Sequence, residues 1–226
     1  MNQNAFIQMI GNAAMAAYPT YKILPSLTIA QAILESGWGK SGLSKECFNY
    51  FGMKWKQGCG CDYKEYSTKE QRADGSYYTI TAKFLKYPDT ASGIRGYYDF
   101  LSGSKRYHNL IGVTDAEKAC DLIRQDGWAT SLAYATNLKN LIKKYNLTVY
   151  DQMALGKAAG TITVRVDIKN LRIRSGPGTD YVPTGKHTGA GTFIITEVQS
   201  GKGSNAGWEK LNTGEGWIAL DYATRI

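Results

Sequence analysis

The chain has 226 residues, 43% of them hydrophobic, and its 27 Lys+Arg against 19 Asp+Glu give a formal net charge of +8. That length accommodates a sizeable core plus a small module, and no apolar run is long enough to span a membrane. Residues 1–152 carry 18 Lys+Arg against 13 Asp+Glu and residues 153–226 carry 9 against 6, so the whole surface is basic and suits a polyanionic partner. No dense Lys/Arg cluster, zinc-finger spacing or RNA-binding signature accompanies that charge, which sets nucleic acid aside.

The N-terminal stretch MNQNAFIQMIGNAAMAAY reads as an amphipathic helix ended by Pro19. It lacks a basic start and an uninterrupted apolar segment, so no signal peptide is expected. From Thr28, the residues Ile29, Ala30, Ala32, Ile33 and Leu34 form the apolar stripe of a second helix. Thr28 with Gln31 fits a capping box, and Gly37 and Gly39 supply the stop. Glu35 therefore falls in the last turn, where the helix dipole opposes a negative charge and Leu34 and Trp38 are expected to desolvate it. Such surroundings suit a general acid working near neutrality.

The string AQAILESGWG at residues 30–39, followed by NYFGMK at 49–54, resembles the glucosaminidases of glycoside hydrolase family 73, over roughly residues 1–150. The resemblance implies a lysozyme-like scaffold that cleaves bacterial peptidoglycan, with Glu35 as the catalytic acid and Asn49 and Phe51 at the sugar site. After Lys54 the pattern becomes extended. Asp74-Gly75 is a strong hairpin signal, and Tyr78, Ile80, Ala82 and Phe84 alternate on one face. The family's second carboxylate sits shortly before such a turn in a Thr-x-Glu context, which places it on Glu70 of Thr68-Lys69-Glu70, with Glu65 as the alternative.

Residues 90–147 return to helix. Asp89 and Thr90 offer a cap for the stripe Ile94, Tyr97, Tyr98 and Leu101. Thr114 and Glu117 would cap a helix carrying Cys120, and Tyr134, Leu138, Leu141, Ile142 and Tyr145 mark another. Gly127-Trp128-Ala129-Thr130, then Tyr134-Ala135, resembles the family's cleft-side Tyr-Ala-Thr-Asp-Pro-x-Tyr-Ala segment, with Trp128 replacing the first Tyr and Ser131-Leu132 replacing Asp-Pro. That resemblance puts Trp128 and Tyr134 at the substrate. Cys47, Cys59 and Cys61 lie near the supposed site. They are open to three readings: reduced thiols, a disulfide, or zinc with a ligand such as His108, although C-x-C is poor structural-zinc spacing.

Residues 151–160 lose periodicity and read as a linker. Beyond it, short apolar runs at 162–166, 171–174, 193–198, 208–211 and 217–220 predict a small all-β barrel. LRIRSGPG at 171–178 together with Gly216-Trp217 resembles bacterial SH3-like wall-targeting domains, over residues 161–226. Trp217 is expected in the core, and Tyr181 and Trp208 are candidates for a groove. The expected fold class is therefore α+β: a mainly helical lysozyme-like domain with a β-hairpin lobe, then the small barrel. The expected activity is an endo-β-N-acetylglucosaminidase acting as a monomer on peptidoglycan, with no cofactor, no metal and no membrane insertion. The lack of an export signal suggests a phage endolysin held in the host cytoplasm until release to the wall. A muramidase, a bacterial autolysin and a non-catalytic wall-binding protein are the other readings.

Overall fold

A computed structural model describes residues 3–71, 75–156 and 162–226, without the side chains of residues 69–71 and 77. Two units follow one another. The first is helical: α1 (Gln3–Tyr21), α2 (Pro25–Ser36), α3 (Gly42–Cys47), α4 (Thr90–Gly103), α5 (Ala116–Gln125), α6 (Tyr134–Lys144) and α7 (Thr148–Ala154). Between α3 and α4, β1 (Tyr63–Gln71) and β2 (Tyr77–Leu85) form an antiparallel hairpin.

Helix α2 is the centre of this unit. Pro25 fixes its first turn, and every residue from Pro25 to Ile33 is buried, as is Ser36. A helix apolar on all sides must be surrounded, and α1, α5, α6 and α7 all pack on it. Leu27 and Ile29 are fully buried, each contributing about 1.5–3 kcal/mol by leaving water. Only Leu34 and Glu35 emerge, at the helix end. Gly37 then closes the helix in the left-handed conformation at φ 57°, its N–H bonded to the Ile33 carbonyl. The expected capping box does not form: Thr28 lies inside the helix, its hydroxyl 2.7 Å from Tyr98 Oη.

Other boundaries differ from the sequence reading for local reasons. Helix α1 runs through Pro19 to Tyr21, because a proline in the last turn removes only one terminal hydrogen bond. Asp115, not Thr114, caps α5, accepting from the N–H groups of Glu117 and Lys118. Asp89 caps α4 as expected, and Ile94, Tyr97, Tyr98 and Leu101 are fully buried. Helix α7 continues into the expected linker: Asp151 is buried and accepts from Ser26 N–H at 2.8 Å, so the helical unit extends beyond residue 150.

The second unit is one antiparallel sheet. Its strands are β3 (Ile162–Val166), β4 (Arg172–Arg174), β5 (Pro183–His187), β6 (Gly191–Gln199), β7 (Trp208–Leu211), β8 (Trp217–Ala219) and β9 (Ala223–Arg225). Their order across the sheet is β5-β4-β8-β7-β6-β3-β9. Val164, Val166, Ile173, Phe193, Ile195 and Ile218 form its core, and Trp217 packs beside Trp208 and Ala219. The sheet also touches the helical unit. Ile194 of β6 is buried in the helical core, and β6 lies against α1.

Candidate active site

Glu35 is exposed at the end of the buried helix, where a charged side chain can leave the core. Its neighbours are not those expected. Trp38 turns inward, its ring 6.0 Å from Phe6 and 5.0 Å from Tyr145, while Leu34 is itself exposed. Trp128 and Tyr134 take their place. Trp128 Nε1 donates to Glu35 Oε1 at 3.0 Å, and Tyr134 Oη donates to the same oxygen at 2.6 Å. Both bonds fall on Oε1, which leaves Oε2 as the oxygen suited to carry a transferable proton.

Each donor is held from behind. After α5, Gly127 at φ 82° turns the chain, and Trp128 N–H bonds the Ile123 carbonyl. The Trp128 ring is clamped edge-on by Tyr97, Phe100 and Tyr107 at 5.5–6.1 Å. Tyr134 opens α6 and is buried. Its hydroxyl accepts from Gln31 Nε2 at 3.0 Å, and Gln31 Oε1 in turn accepts from the fully buried Tyr97 hydroxyl. A hydrogen-bonded chain thus runs from Tyr97 through Gln31 and Tyr134 to the carboxylate. Burial, then the Glu35 charge, push the Tyr134 hydroxyl far above its ordinary value, so it stays a donor at any physiological pH.

Trp128 also lines a cleft of about 430 Å³, together with Phe51, Phe100, Tyr107, Lys54, Cys59 and Cys61 among others. Phe51 is stacked on Tyr97 at 3.9 Å. Asn49 does not face the cleft. It is buried, its Nδ2 donates to the carbonyls of Met53 and Leu85, and its Oδ1 accepts from Met53 N–H. With both donors used, Asn49 is a staple of the 49–53 turn. Tyr134 likewise serves Glu35 and does not line the cleft.

The Glu70 side chain lies outside the described residues; its backbone pairs with Tyr78 in the hairpin. Glu65 is exposed and pairs with Lys83, on the strand face opposite Tyr66, whose hydroxyl donates to Glu46 of α3. Among the described residues no three His, Cys, Asp or Glu side chains are grouped to hold a metal. Cys47 is buried against Tyr66, and His108 Nε2 lies 2.8 Å from the Ser102 carbonyl. In the sheet unit, Trp208 is buried, with Arg174 over its ring at 6.0 Å, while Tyr181 is 46% exposed. Trp208, but not Tyr181, lines a second cavity of about 400 Å³, together with Arg172, Arg174 and Tyr222.

Sequence reasoning missed Gln31 and Tyr97 as parts of the site. The available signal was a lone amide in a helix with no polar face, since a buried amide must find partners.

The family model for glucosaminidases, described as mannosyl-glycoprotein endo-beta-N-acetylglucosaminidase, matches residues 11–147. The chain belongs to that family. The match covers α2, the hairpin, Trp128 and Tyr134, so the carboxylate and both of its donors lie within the glucosaminidase region. Exo-glucosaminidase LytG of Bacillus subtilis is 27% identical over 96% of this chain and 79% of its own length. Peptidoglycan hydrolase FlgJ of Escherichia coli is 28% identical over 63% of this chain, which spans 47% of that protein. Among solved structures, the catalytic domain of the autolysin Auto from Listeria monocytogenes aligns at a TM-score of 0.58 and 32% identity, over 66% of this chain and 86% of that one. The glycoside hydrolase domain of Salmonella typhimurium FlgJ aligns at a TM-score of 0.54 and 26% identity, over 64% and 98%. This glucosaminidase-family chain is a glycoside hydrolase.

Proposed function

We propose that the protein hydrolyses the glycan strand of bacterial peptidoglycan as an endo-β-N-acetylglucosaminidase, with Glu35 as general acid. The observation that carries this reading is an exposed carboxylate bonded to Trp128 of an aromatic-lined cleft, with one oxygen fixed by two donors and the other suited to deliver a proton. Glu35 protonates the oxygen leaving a β-1,4-linked N-acetylglucosamine. Glu70 is the second carboxylate, which activates water or steadies a charged intermediate formed by the sugar's own acetamido group. A carboxyl separation of roughly 6.5–9.5 Å corresponds to direct water attack and about 5–5.5 Å to a carboxylate nucleophile. Trp128 and Phe51 offer flat apolar surface to a pyranose face. The basic surface suits a polymer rich in carboxylates and phosphates.

Residues 162–226 act as an SH3-like wall-binding module. The RSGPG turn and the antiparallel sheet support this reading, and the groove lined by Arg172, Arg174 and Tyr222 is its candidate contact surface. A second reading concerns the bond. The Bacillus relative is called an exo-glucosaminidase, and two Lactococcus relatives are called probable N-acetylmuramidases. Mass spectrometry of fragments released from purified walls separates all three: N-acetylglucosamine at new reducing ends identifies a glucosaminidase, and long fragments identify endo cleavage. Glu35→Gln should lower lysis by at least about 10²–10⁴-fold while the fold persists. Near-normal clearance of walls by the folded variant would refute the assignment.

A further inference from the structure

The loop that closes one side of the cleft carries a Gly58-Cys59-Gly60-Cys61 run that the glycosidase chemistry leaves unused. Both cysteines are exposed and both line the cleft, as Trp128 does. They fold onto each other. Cys61 N–H donates to Cys59 Sγ at 3.4 Å, and Cys61 Sγ donates to the Cys59 carbonyl at 3.2 Å. Gly58 and Gly60, at φ 85° and 68°, permit that tight course. The loop's exit is anchored: Trp55 Nε1 donates to the Cys61 carbonyl at 3.0 Å, and Lys86 N–H donates to the Asp62 carbonyl at 3.0 Å. The two side chains are close enough to share a hydrogen bond, whereas Cys47 and Cys120 are each buried apart.

We infer that Cys59 and Cys61 form a redox-active dithiol on the cleft wall, which closes to an intraloop disulfide and thereby alters how the cleft holds its glycan. The reaction partner is a small disulfide. One thiolate attacks a sulfur of that molecule and expels its first half as a thiolate. The second cysteine then attacks the protein sulfur of the mixed disulfide and expels the other half. The cysteine pair gives up two electrons and two protons, and the small disulfide becomes two thiols.

The asymmetry of the pair suits that order of events. Desolvation pushes the Cys59 thiol up, but hydrogen bonds from the Cys61 side chain and backbone outweigh it and hold Cys59 below the ordinary thiol value. Cys61 is raised, first through its hydrogen bond to Cys59. Cys59 is therefore the attacking thiolate and Cys61 the resolving thiol. Cys120 is pushed up to about 12 by burial and takes no part.

The test equilibrates the reduced full-length protein in glutathione buffers of rising oxidised fraction, traps remaining thiols with an alkylating agent, and maps the peptides by mass. The expected result is a peptide holding residues 59 and 61 that has lost two hydrogens and gained nothing. Cys59→Ser and Cys61→Ser should each stop at a mixed disulfide with glutathione. Two stable glutathione adducts in the unaltered protein, or unreacted thiols throughout, would overturn the inference. The functional half rests on the proposed glycosidase activity and is read separately on glycan fragments. Oxidation should change KM by roughly threefold or more at constant kcat, because the pair touches the cleft and not Glu35. The Cys59→Ser/Cys61→Ser protein should show no response to the buffer. An unchanged KM in the oxidised protein would refute the effect on the cleft. A protein that cuts no glycan in either state would count against the glycosidase reading, while the mass readout would still decide the thiol chemistry.

Discussion

Tyr134→Phe isolates the contribution of acid orientation with almost no change in shape. The substitution removes one oxygen that serves two partners: it donates to Glu35 Oε1 at 2.6 Å and accepts from Gln31 Nε2 at 3.0 Å. A hydroxyl–carboxylate bond of that length is charge-assisted and contributes about 1.5–3 kcal/mol. Trp128 still donates to Glu35, so the carboxylate keeps one anchor and swings about it. At about 1.4 kcal/mol per tenfold, kcat should fall roughly 10- to 100-fold. KM should stay near its normal value, because Tyr134 does not line the cleft. Gln31 is fully buried and loses an acceptor, which should lower stability by about 1–3 kcal/mol. Initial rates on soluble glycan fragments at several concentrations give the two kinetic constants, and urea unfolding gives the stability. A variant that loses stability but keeps its kcat within about twofold would show that the hydroxyl braces the helices without orienting the acid.

Three further outcomes are expected. Glu70→Gln should reduce wall clearance strongly and Glu65→Gln mildly; a worse loss at Glu65 would move the second carboxylate to that position. Burial raises the Asp151 carboxyl to about 6, so its folded-state value lies above its unfolded one. Its contribution to stability is therefore fully present below the unfolded value and is lost as pH rises through about 6, on the order of 2–3 kcal/mol in all. Asp151→Asn should flatten the decline in unfolding free energy between about pH 4 and 7, the span from the unfolded value to just above the folded one, and a slope equal to the parent's would contradict this. Deleting residues 162–226 should slow lysis of whole walls more than cleavage of soluble fragments, with the deletion protein's wall association the more sensitive to salt. Equal wall activity with and without these residues would refute the targeting role.

The sequence was most legible where a local rule met a burial pattern. The run from Ile29 to Leu34 had to be a buried helix, and a Gly-Trp-Gly stop could only leave Glu35 at its end. The hairpin's second strand followed from the alternation of Tyr78, Ile80, Ala82 and Phe84, whose burial deepens toward Phe84, while Asp74 of the expected turn lies outside the described residues. What stayed hidden depends on partners distant in sequence. Nothing near Glu35 in the chain announces Trp128 or Tyr134 as its donors, since they arrive from 93 and 99 residues away. The stapling role of Asn49 was hidden because one of its carbonyl partners, that of Leu85, comes within reach only once β2 lies beside the 49–53 turn. Strand β5 is exposed along its whole length and so carries no apolar alternation, and β9 is three residues long. Both take their conformation from neighbouring strands.

Ile194 is where the two units meet. Its side chain sits in the helical core although its backbone belongs to the sheet, and Gly191 nearby leaves the backbone close to Gln8 of α1. On the wall-binding reading proposed for the sheet, that contact would set the heading at which the cleft meets a strand, as a plane iron is set in its block.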